Sequence, residues 1–262
     1  MLVAILLLPL WLMIIGSFQD INGVMKMPPD LLPKDPTLKN YTAILGSADI
    51  RWFFNSAFIV ILSIVLSVGI SCSAGYAMAH FDFKFKKLIW ILLLSQIMIP
   101  IITLYIPRYV VIKHLGISGT IWGAVFPCVL SPMGIYLAKI YFETIPDSIM
   151  ESARLDGASE IRILRSIVVP ISKPIITALA LFGGVGSLSN YIWQMLVLQK
   201  TARQPLLVGL MKAVNNFSDP IMRLNPLGRC MAVGSFLLFP IIIIFAFTSR
   251  YFTEGISGAI KE

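Results

Sequence analysis

Long stretches without a charged residue or histidine recur along the chain, separated by polar connections. A helix needs about 20 apolar residues to cross the ~30 Å hydrocarbon core of a bilayer. Five of these stretches reach that length, and the N-terminal one falls slightly short. All are far longer than the ~10-residue strands of a membrane barrel. The pattern predicts an all-α, polytopic membrane protein with six transmembrane helices, at residues 2–18, 52–79, 88–107, 115–138, 174–199 and 230–249.

The first apolar stretch has two interpretations, a membrane anchor and a signal peptide. A signal peptide begins with basic residues and ends at a cleavage site of small residues. Residues 1–19 contain no basic residue, and no such cleavage site follows them. The sequence therefore favours an anchor.

Composition agrees with a membrane protein. Of the 262 residues, 57% are hydrophobic and 13% are charged, about half the charged share of roughly 25% in soluble domains. The mean hydropathy is +0.85. These values exclude a soluble enzyme, and they also exclude a disordered chain, which would need more charge.

The net charge of +8 does not indicate nucleic-acid binding, because the lysines and arginines lie in the connections between the predicted helices. The three cysteines, Cys72, Cys128 and Cys230, all lie inside apolar stretches, where thiols are usually packing residues. Together with two isolated histidines they offer no metal-ligand spacing. We predict no metal site.

The connection 139–173 is charged yet patterned like folded structure. Pro146 and Asp147 suit the first turn of a helix, Asp156-Gly157 breaks it, and Ser159 suits the cap of a second helix. The predicted apolar faces are Ile149, Met150 and Ala153 on the first helix, and Ile161, Leu164 and Val168 on the second, opposite Arg162 and Arg165. Two short amphipathic helices around a glycine bend suit docking into a groove of another protein.

This connection also carries a family resemblance. Glu151-Ser-Ala-Arg-Leu-Asp-Gly157, nine residues, and then Ile167-Val-Val-Pro170 resembles the EAA motif of bacterial ABC importer permeases (E-A-A, three residues, G, nine residues, I-x-L-P). Ser152 replaces an alanine and Val169 the leucine. The surrounding residues 145–160 are similar to the carbohydrate branch, specifically to second permeases of the maltose-transporter type. The resemblance continues through residues 32–56 and the C-terminal residues 250–261.

The resemblance implies a fold and an assembly. The chain would be a single permease domain, residues 1–262, with the type I ABC importer fold, an external loop at 19–51 and a cytoplasmic coupling loop at 139–173. Its partners would be a second, homologous permease, two copies of an ATPase subunit, an extracytoplasmic solute-binding protein and the lipid of the bacterial plasma (inner) membrane, with no nucleic acid. The residues implied in ATPase coupling are Glu151, Ala153, Asp156, Gly157, Ala158, Arg162, Ile167 and Pro170.

The implied function is inward transport of a sugar or oligosaccharide, driven by ATP hydrolysis on the partner. The chain itself is not expected to be an enzyme or to hold a cofactor, because a phosphate-binding loop requires a Gly-Lys pair and the sequence contains none. ATP and magnesium would bind the ATPase subunit. The glycines of 183–186, like Ser71, Gly75 and Ala79, are predicted to allow close helix packing.

Polar residues within a predicted span are candidates for the substrate path. The fifth span offers Ser187, Ser189, Asn190, Tyr191, Trp193 and Gln194. The alternative role of these side chains is hydrogen bonding between helices. At 186–190 the chain has Gly-Ser-Leu-Ser-Asn where the family usually has G-S-W-N-D, and Gln194 stands where proline is common, so the sugar class stays open.

Two other functions are kept as alternatives. An importer for another solute, such as glycerol phosphate, a peptide or an anion, fits the same motif. A phosphorylated solute would require arginine or lysine in the cavity, and the predicted spans contain neither, which favours a neutral sugar. More remotely, Ala153-Arg-Leu-Asp-Gly157 resembles part of a membrane phosphotransferase metal motif, but after Glu160 the next acidic residue is Asp219, too distant for a two-metal site.

Overall fold

The computed structural model describes residues 2–215, 224–239 and 242. Within these ranges the chain forms helices joined by turns and contains no strand. The predicted all-α class is therefore confirmed.

The helices lie in this order: α1 (Leu2–Ser17), α2 (Ile21–Val24), α3 (Lys39–Ser47), α4 (Ile50–His80), α5 (Lys86–Met98), α6 (Tyr105–His114), α7 (Ile121–Val129), α8 (Pro132–Phe142), α9 (Asp147–Leu155), α10 (Glu160–Ile163), α11 (Val169–Ile171), α12 (Lys173–Ser189), α13 (Tyr191–Val197), α14 (Leu206–Val214) and α15 (Pro226–Phe239). Short 3₁₀ turns occupy Ile101–Leu104 and Thr201–Arg203. A π-helical turn, Leu164–Val168, lies between α10 and α11.

Membrane-spanning helices are less regular than the sequence predicts. Among the described residues, α4 is the one helix that is by itself long and apolar enough to cross a bilayer, with 31 residues and a mean hydropathy that reaches 2.4. Three bent pairs also qualify if each pair counts as one span: α5 with Ile101–His114 (108°), α7 with α8 (46°), and Glu160–Ile171 with α12 (89°). The helices of 5–17 and 226–239 are shorter apolar helices, and residues 240, 241 and 243–249 of the predicted sixth span lie outside the described residues.

The stretches 88–107, 115–138 and 174–199, each predicted as one helix, are interrupted in the structure. The first breaks at Ile99, whose backbone is extended because Pro100 follows it and disfavours the helical conformation. The second breaks before Pro132, where the Ser131 hydroxyl accepts a hydrogen bond from the Gly134 amide and caps α8. The third breaks at Asn190 (φ −81°, ψ 51°). The first two breaks have a proline signal in the sequence that the length of the apolar stretch conceals.

The chain divides into two compact units. The first comprises the described residues of Met1–Ala57 and Gln199–Ile243, and the second those of Phe58–Leu198. The core of the first unit is formed by Ile44, Trp52, Leu206, Leu210, Val214, Ala232 and Val233. Its polar contacts include the Trp52 indole N–H, which donates to the Thr201 carbonyl at 2.8 Å.

The second unit has two apolar clusters. One is formed by Cys72, Tyr76, Ala138, Phe142, Ile145, Met150, Ala153, Ile163, Val168 and Leu179. The other is formed by Ile59, Ile112, Ala124, Val125, Val129, Trp193, Val197 and Leu198. The first cluster joins α4, α8 and α12 to the helices of the 139–173 connection, and thereby holds that connection in place.

Close packing through small residues is observed at Gly75 and Gly184, whereas nothing lies within 4 Å of a methyl group built on Gly186, so the prediction for 183–186 holds only in part. A methyl group built on Gly75 would lie 2.6 Å from the Ala138 side chain and 3.0 Å from the Lys139 amide nitrogen. A methyl group on Gly184 would lie 3.1 Å from Ile64. Because Gly75 has no side chain, α4 and α8 approach each other more closely than any larger residue would allow.

Candidate functional site

The connection between α8 and α12 contains the predicted glycine bend. Gly157 has a positive φ of 77°, and the Gly157 and Ala158 amides each donate a 3.0 Å hydrogen bond back to α9, to the Arg154 and Ala153 carbonyls. This left-handed residue ends α9 as glycine commonly ends a helix. Nothing lies within 4 Å of a methyl group built on Gly157. The need for glycine here therefore comes from its backbone conformation and not from crowding.

Both predicted helix starts are close to the observed ones. α9 begins at Asp147, so Pro146 is the capping position and not the first helical residue. Ser159 occupies the cap position of α10, but its side chain makes no capping hydrogen bond. The start of α10 is set instead by the bend and by the packing of Ile163, which is fully buried.

The predicted apolar faces are partly wrong. On α9, Met150 and Ala153 are buried as predicted, whereas Ile149 is exposed. On the second helix, Ile163 and Val168 are buried and Ile161 is 66% exposed. The π-helical turn at Leu164–Val168 explains the difference, because π-helical hydrogen bonds join residues five apart and bring Ile163 and Val168 to the same side.

Polar contacts attach this connection to the end of α4. The Tyr76 hydroxyl donates to Glu160 Oε2 at 2.7 Å, and Arg154 Nε donates to Glu160 Oε1 at 2.7 Å. His80 Nδ1 lies 3.3 Å from Asp147 Oδ1. Sequence reasoning missed the two contacts to α4 because their partners are far apart in the chain. It missed the Arg154–Glu160 contact because those residues lie on opposite sides of the bend.

The surface left exposed by these contacts carries both charge and apolar side chains. Of the eight predicted coupling residues, five are exposed: Glu151, Asp156, Gly157, Arg162 and Pro170. Ala158 and Ile167 are half-buried, and Ala153 is buried in the core. Leu155 is 90% exposed and Ile161 is 66% exposed. Neither was predicted as a coupling residue, although both stand next to residues that were.

A cavity of about 690 Å³ lies within the second unit. Its walls come from α4, α5, α6, α7, α8 and α12, from Asn190 before α13 and Gln194 within it, and from the turns that break the predicted spans. The polar side chains that line it are Ser63, Ser67, Gln96, Arg108, Ser131, Ser187, Asn190 and Gln194. The remaining lining residues are apolar or glycine, apart from Cys128.

Three of the six predicted substrate-path residues line this cavity: Ser187, Asn190 and Gln194. Ser189 and Tyr191 do not line it. Trp193 is 0% exposed, and its indole N–H donates to the Ala124 carbonyl at 3.0 Å. The structure therefore places Trp193 in the core and not on a solute path.

The three that do line the cavity also bond within the protein. The Tyr105 hydroxyl donates to Asn190 Oδ1 at 3.1 Å, and Asn190 Nδ2 donates to Cys128 Sγ at 3.2 Å. Gln194 Nε2 donates to the Ser187 carbonyl at 2.7 Å, and the Ser187 hydroxyl contacts that of Ser63 at 3.2 Å. These bonds join the helices around the cavity, as the alternative interpretation of these residues expected.

Five polar residues that line the cavity were not among the predicted substrate-path residues: Ser63, Ser67, Ser131, Gln96 and Arg108. The two large side chains among them are those of Gln96 and Arg108. Within the described part of the chain, neither side chain makes a hydrogen bond or an ion pair, and both are only partly buried. Arg108 follows directly after the predicted span 88–107. It was therefore not counted when the predicted spans were found to contain no arginine or lysine. The predicted preference for a neutral solute therefore loses its basis, because the structure puts an arginine in the cavity.

Residues 67–258 match the family described as the binding-protein-dependent transport system inner membrane component. This chain belongs to that permease family. The matched segment contains the whole 139–173 connection and every cavity-lining residue except Ser63. The inner membrane is thus the location of the permease, as predicted.

The permease is similar to characterised transport permeases along nearly its whole length. It is 28% identical to the arabinooligosaccharides transport system permease protein AraQ of Bacillus subtilis, over 100% of this chain and 92% of AraQ. It is 30% identical to AraQ of Halalkalibacterium halodurans, over 97% and 90% of the two chains. It is 28% identical to the sn-glycerol-3-phosphate transport system permease protein UgpE of Agrobacterium fabrum, over 97% and 92%.

A solved structure has the same fold. A chain of a bacterial ABC transporter involved in the import of the acidic polysaccharide alginate matches with a TM-score of 0.79 and 21% identity, over 96% of this permease and 92% of that chain. The predicted importer-permease fold is therefore confirmed. The count of six membrane crossings stays a prediction.

Proposed function

We propose that this permease imports a sugar or an oligosaccharide, and that the exposed face of α9 and α10 docks onto an ATPase subunit. The full-length similarity to arabinooligosaccharide permeases supports the solute class. The docking role is supported by the exposure of Leu155 (90%) and Ile161 (66%), in a loop that is hydrogen bonded to α4. Exposed apolar side chains beside charged ones suit a groove in a partner protein.

The residues of this loop divide into two roles in the proposal. Glu151, Asp156 and Arg162 are exposed and supply charged contacts to the partner. Ala153 and Ile167 pack in the apolar cluster that joins the loop to α4, α8 and α12. Through this cluster, a displacement of the loop by the ATPase subunit is transmitted to those helices. Gly157 sets the bend, Ala158 leaves room beside it, and Pro170 leads into α12. None of these residues performs bond-breaking chemistry, so ATP and magnesium belong to the ATPase subunit.

The membrane arrangement proposed with this function has six crossings. They are α1, α4, α5 with the turn after it, α7 with α8, α12 with α13, and the span at 230–249. This arrangement puts the 139–173 connection in the cytoplasm and the 19–51 loop outside. A second, homologous permease, two ATPase subunits and an extracytoplasmic solute-binding protein complete the transporter.

The docking role is tested by Leu155→Asp, which puts a charge at the centre of the proposed contact. Leu115→Asp is the matched control, because Leu115 is 66% exposed and belongs to a different connection, the turn after α6. The tagged permease is purified from native membranes in mild detergent, and the co-purified ATPase subunit is measured. We expect the amount of co-purified ATPase to fall at least about tenfold in Leu155→Asp, which corresponds to a loss of ~1.4 kcal/mol or more of binding free energy. Membrane insertion of this variant should be normal, and the control should retain its ATPase. ATPase retention in Leu155→Asp equal to that in Leu115→Asp overturns the assignment.

A further inference from the structure

The cavity in the second unit contains an arginine, Arg108, that has no acidic partner among the described residues. Arg108 is the only charged residue among the described residues that line the cavity. No aspartate or glutamate lines the walls, and no described residue hydrogen bonds to its guanidinium group. The walls around it are mainly apolar, with Ile101, Leu104 and Leu130 among them.

A cation in such a place is costly unless something neutralises it. Charged side chains that face the interior of a membrane protein usually pair with an opposite charge or line a solute pathway. The guanidinium group binds a carboxylate or phosphate through two parallel hydrogen bonds. An anionic group on a solute would therefore supply the counter-charge that the described residues do not.

Nearby polar groups fit the rest of such a solute. The Gln96 amide lines the cavity and makes no hydrogen bond within the described part of the chain, so its donor and acceptor are free for sugar hydroxyls. By contrast, the Asn190 amide is already bonded on both sides, to Tyr105 and Cys128. The volume of about 690 Å³ lies within the ~300–1,000 Å³ of ordinary small-ligand sites.

We infer that the cavity binds sugars bearing an anionic group, a carboxylate or a phosphate, and that Arg108 is the residue that selects them. This inference rests on the proposed transport function and narrows its solute class. It predicts that Arg108 distinguishes an acidic sugar from its neutral counterpart of the same shape.

The test uses the intact transporter, isolated from native membranes through a tag on this chain and placed in phospholipid vesicles. Phenylglyoxal modifies accessible arginines, and peptide mass spectrometry follows Arg108 and, as an internal control, the exposed Arg162 of the coupling loop. The probes are galacturonate, galactose and inorganic phosphate at matched ionic strength. Protection follows 1 + [L]/Kd, so modification of Arg108 is expected to slow about tenfold when galacturonate or phosphate reaches about ten times its Kd. Galactose should not slow it, and Arg162 should react equally in every case.

The two anionic probes distinguish a carboxylate-bearing sugar from a phosphorylated one. Protection by galacturonate alone indicates a uronic-acid sugar, and protection by phosphate alone indicates a phosphorylated one. Equal protection by galactose, or no protection by either anion, overturns the inference. Resistance of Arg108 to phenylglyoxal without any probe, while Arg162 reacts, also overturns it, because the guanidinium would then be paired with another subunit or with a lipid headgroup.

A second measurement uses variants. The anionic probe that protects Arg108 should raise the thermal unfolding midpoint of the wild-type transporter, and Arg108→Gln should abolish that rise, while Arg108→Lys retains part of it. Lys113→Gln is the control, since Lys113 is an exposed base on the same helix that does not line the cavity. A midpoint rise that persists in Arg108→Gln contradicts the inference. Neither readout depends on ATPase docking, so a failure here is distinguishable from a failure of the Leu155→Asp test.

Discussion

Tyr76 and Glu160 are 84 positions apart in the chain, yet the Tyr76 hydroxyl donates a 2.7 Å hydrogen bond to Glu160 Oε2. Tyr76 lies near the end of α4, and Glu160 is the first residue of α10. Arg154, from the last turn of α9, donates to the other oxygen of the same carboxylate. One carboxylate therefore ties the longest helix to both helices of the proposed docking loop.

Tyr76→Phe should remove the hydrogen bond to Glu160 while its aromatic ring still fills the Tyr76 position in the core. A hydrogen bond to a charged group contributes about 1.5–3 kcal/mol, so the loop should hold its position against α4 less firmly. We expect the reconstituted transporter to hydrolyse ATP but to move fewer solute molecules for each ATP. The ratio of solute uptake to phosphate release measures this. Tyr109→Phe serves as the control, because the Tyr109 hydroxyl makes no hydrogen bond within the described residues, and an equal ratio in the two variants refutes the coupling role.

Substitutions at Gly157 should act through the backbone conformation that the new residue prefers, and not through the size of its side chain. Its φ of 77° costs a side-chain-bearing residue roughly 1–2 kcal/mol, although the space around it is open. Gly157→Val should therefore uncouple ATP hydrolysis from uptake while membrane insertion stays normal. Gly157→Asn should be milder, because asparagine tolerates the left-handed conformation.

A strain-matched control for this bend lies at Gly116, which has a φ of 70° and equally open surroundings. Gly116→Val introduces the same backbone penalty far along the chain from the docking loop. Coupled uptake should survive in Gly116→Val and fail in Gly157→Val. Normal coupling in both variants would refute the role of the bend.

Gly75 should be more sensitive than Gly69, although both lie on α4. Alanine at either position gains about 1 kcal/mol of helix propensity. At Gly75 the added methyl group would meet Ala138 at 2.6 Å, and overpacking of this kind costs about 1–3 kcal/mol. At Gly69 it would meet nothing within 4 Å. Thermal unfolding of the purified transporter should show a lower midpoint for Gly75→Ala than for Gly69→Ala, and the reverse order would contradict the packing described here.

Trp193 should behave as a core residue and not as a solute contact. It is fully buried and bonded to the Ala124 carbonyl, so Trp193→Ala should cost about 3–5 kcal/mol and reduce the yield of folded permease. Trp122→Ala, at a tryptophan that is 46% exposed, should fold almost normally. The yield of monodisperse protein in detergent and its unfolding midpoint measure both effects. If Trp193→Ala folds normally and changes only the solute preference, the assignment to the core is wrong.

Local features of the chain were readable from the sequence where one pattern dominates. The apolar stretches predicted the helical membrane class, because only a helix satisfies its own backbone hydrogen bonds in lipid. The spacing from Glu151 to Pro170 indicated the permease family, and Asp156-Gly157 predicted the bend. The helix starts near Asp147 and Glu160 were predicted from Pro146, Asp147 and Ser159, although neither cap position makes a side-chain hydrogen bond.

Helix continuity was predicted less well, because the length of an apolar stretch gives no information about breaks within it. Ile99-Pro100 and Ser131-Pro132 interrupt two predicted spans, and Asn190 interrupts a third without any proline. The apolar face of α10 was misassigned because the π-helical turn changes the register by about one residue, and no residue type at 160–168 signals such a turn.

The sequence by itself determined the membrane class, the permease family and the bend in the 139–173 connection, since each depends on residues that are near one another in the chain. Only the tertiary structure decided what long-range packing brings together. It brought the Tyr76 hydroxyl to Glu160 and buried Trp193 in the core. It also showed that Arg108, at the edge of a predicted span, is the one charged side chain among the described residues of the cavity wall. The physical reason is that burial and pairing depend on how helices break and cross, and a helix's periodicity specifies its apolar face but not the partner that this face meets.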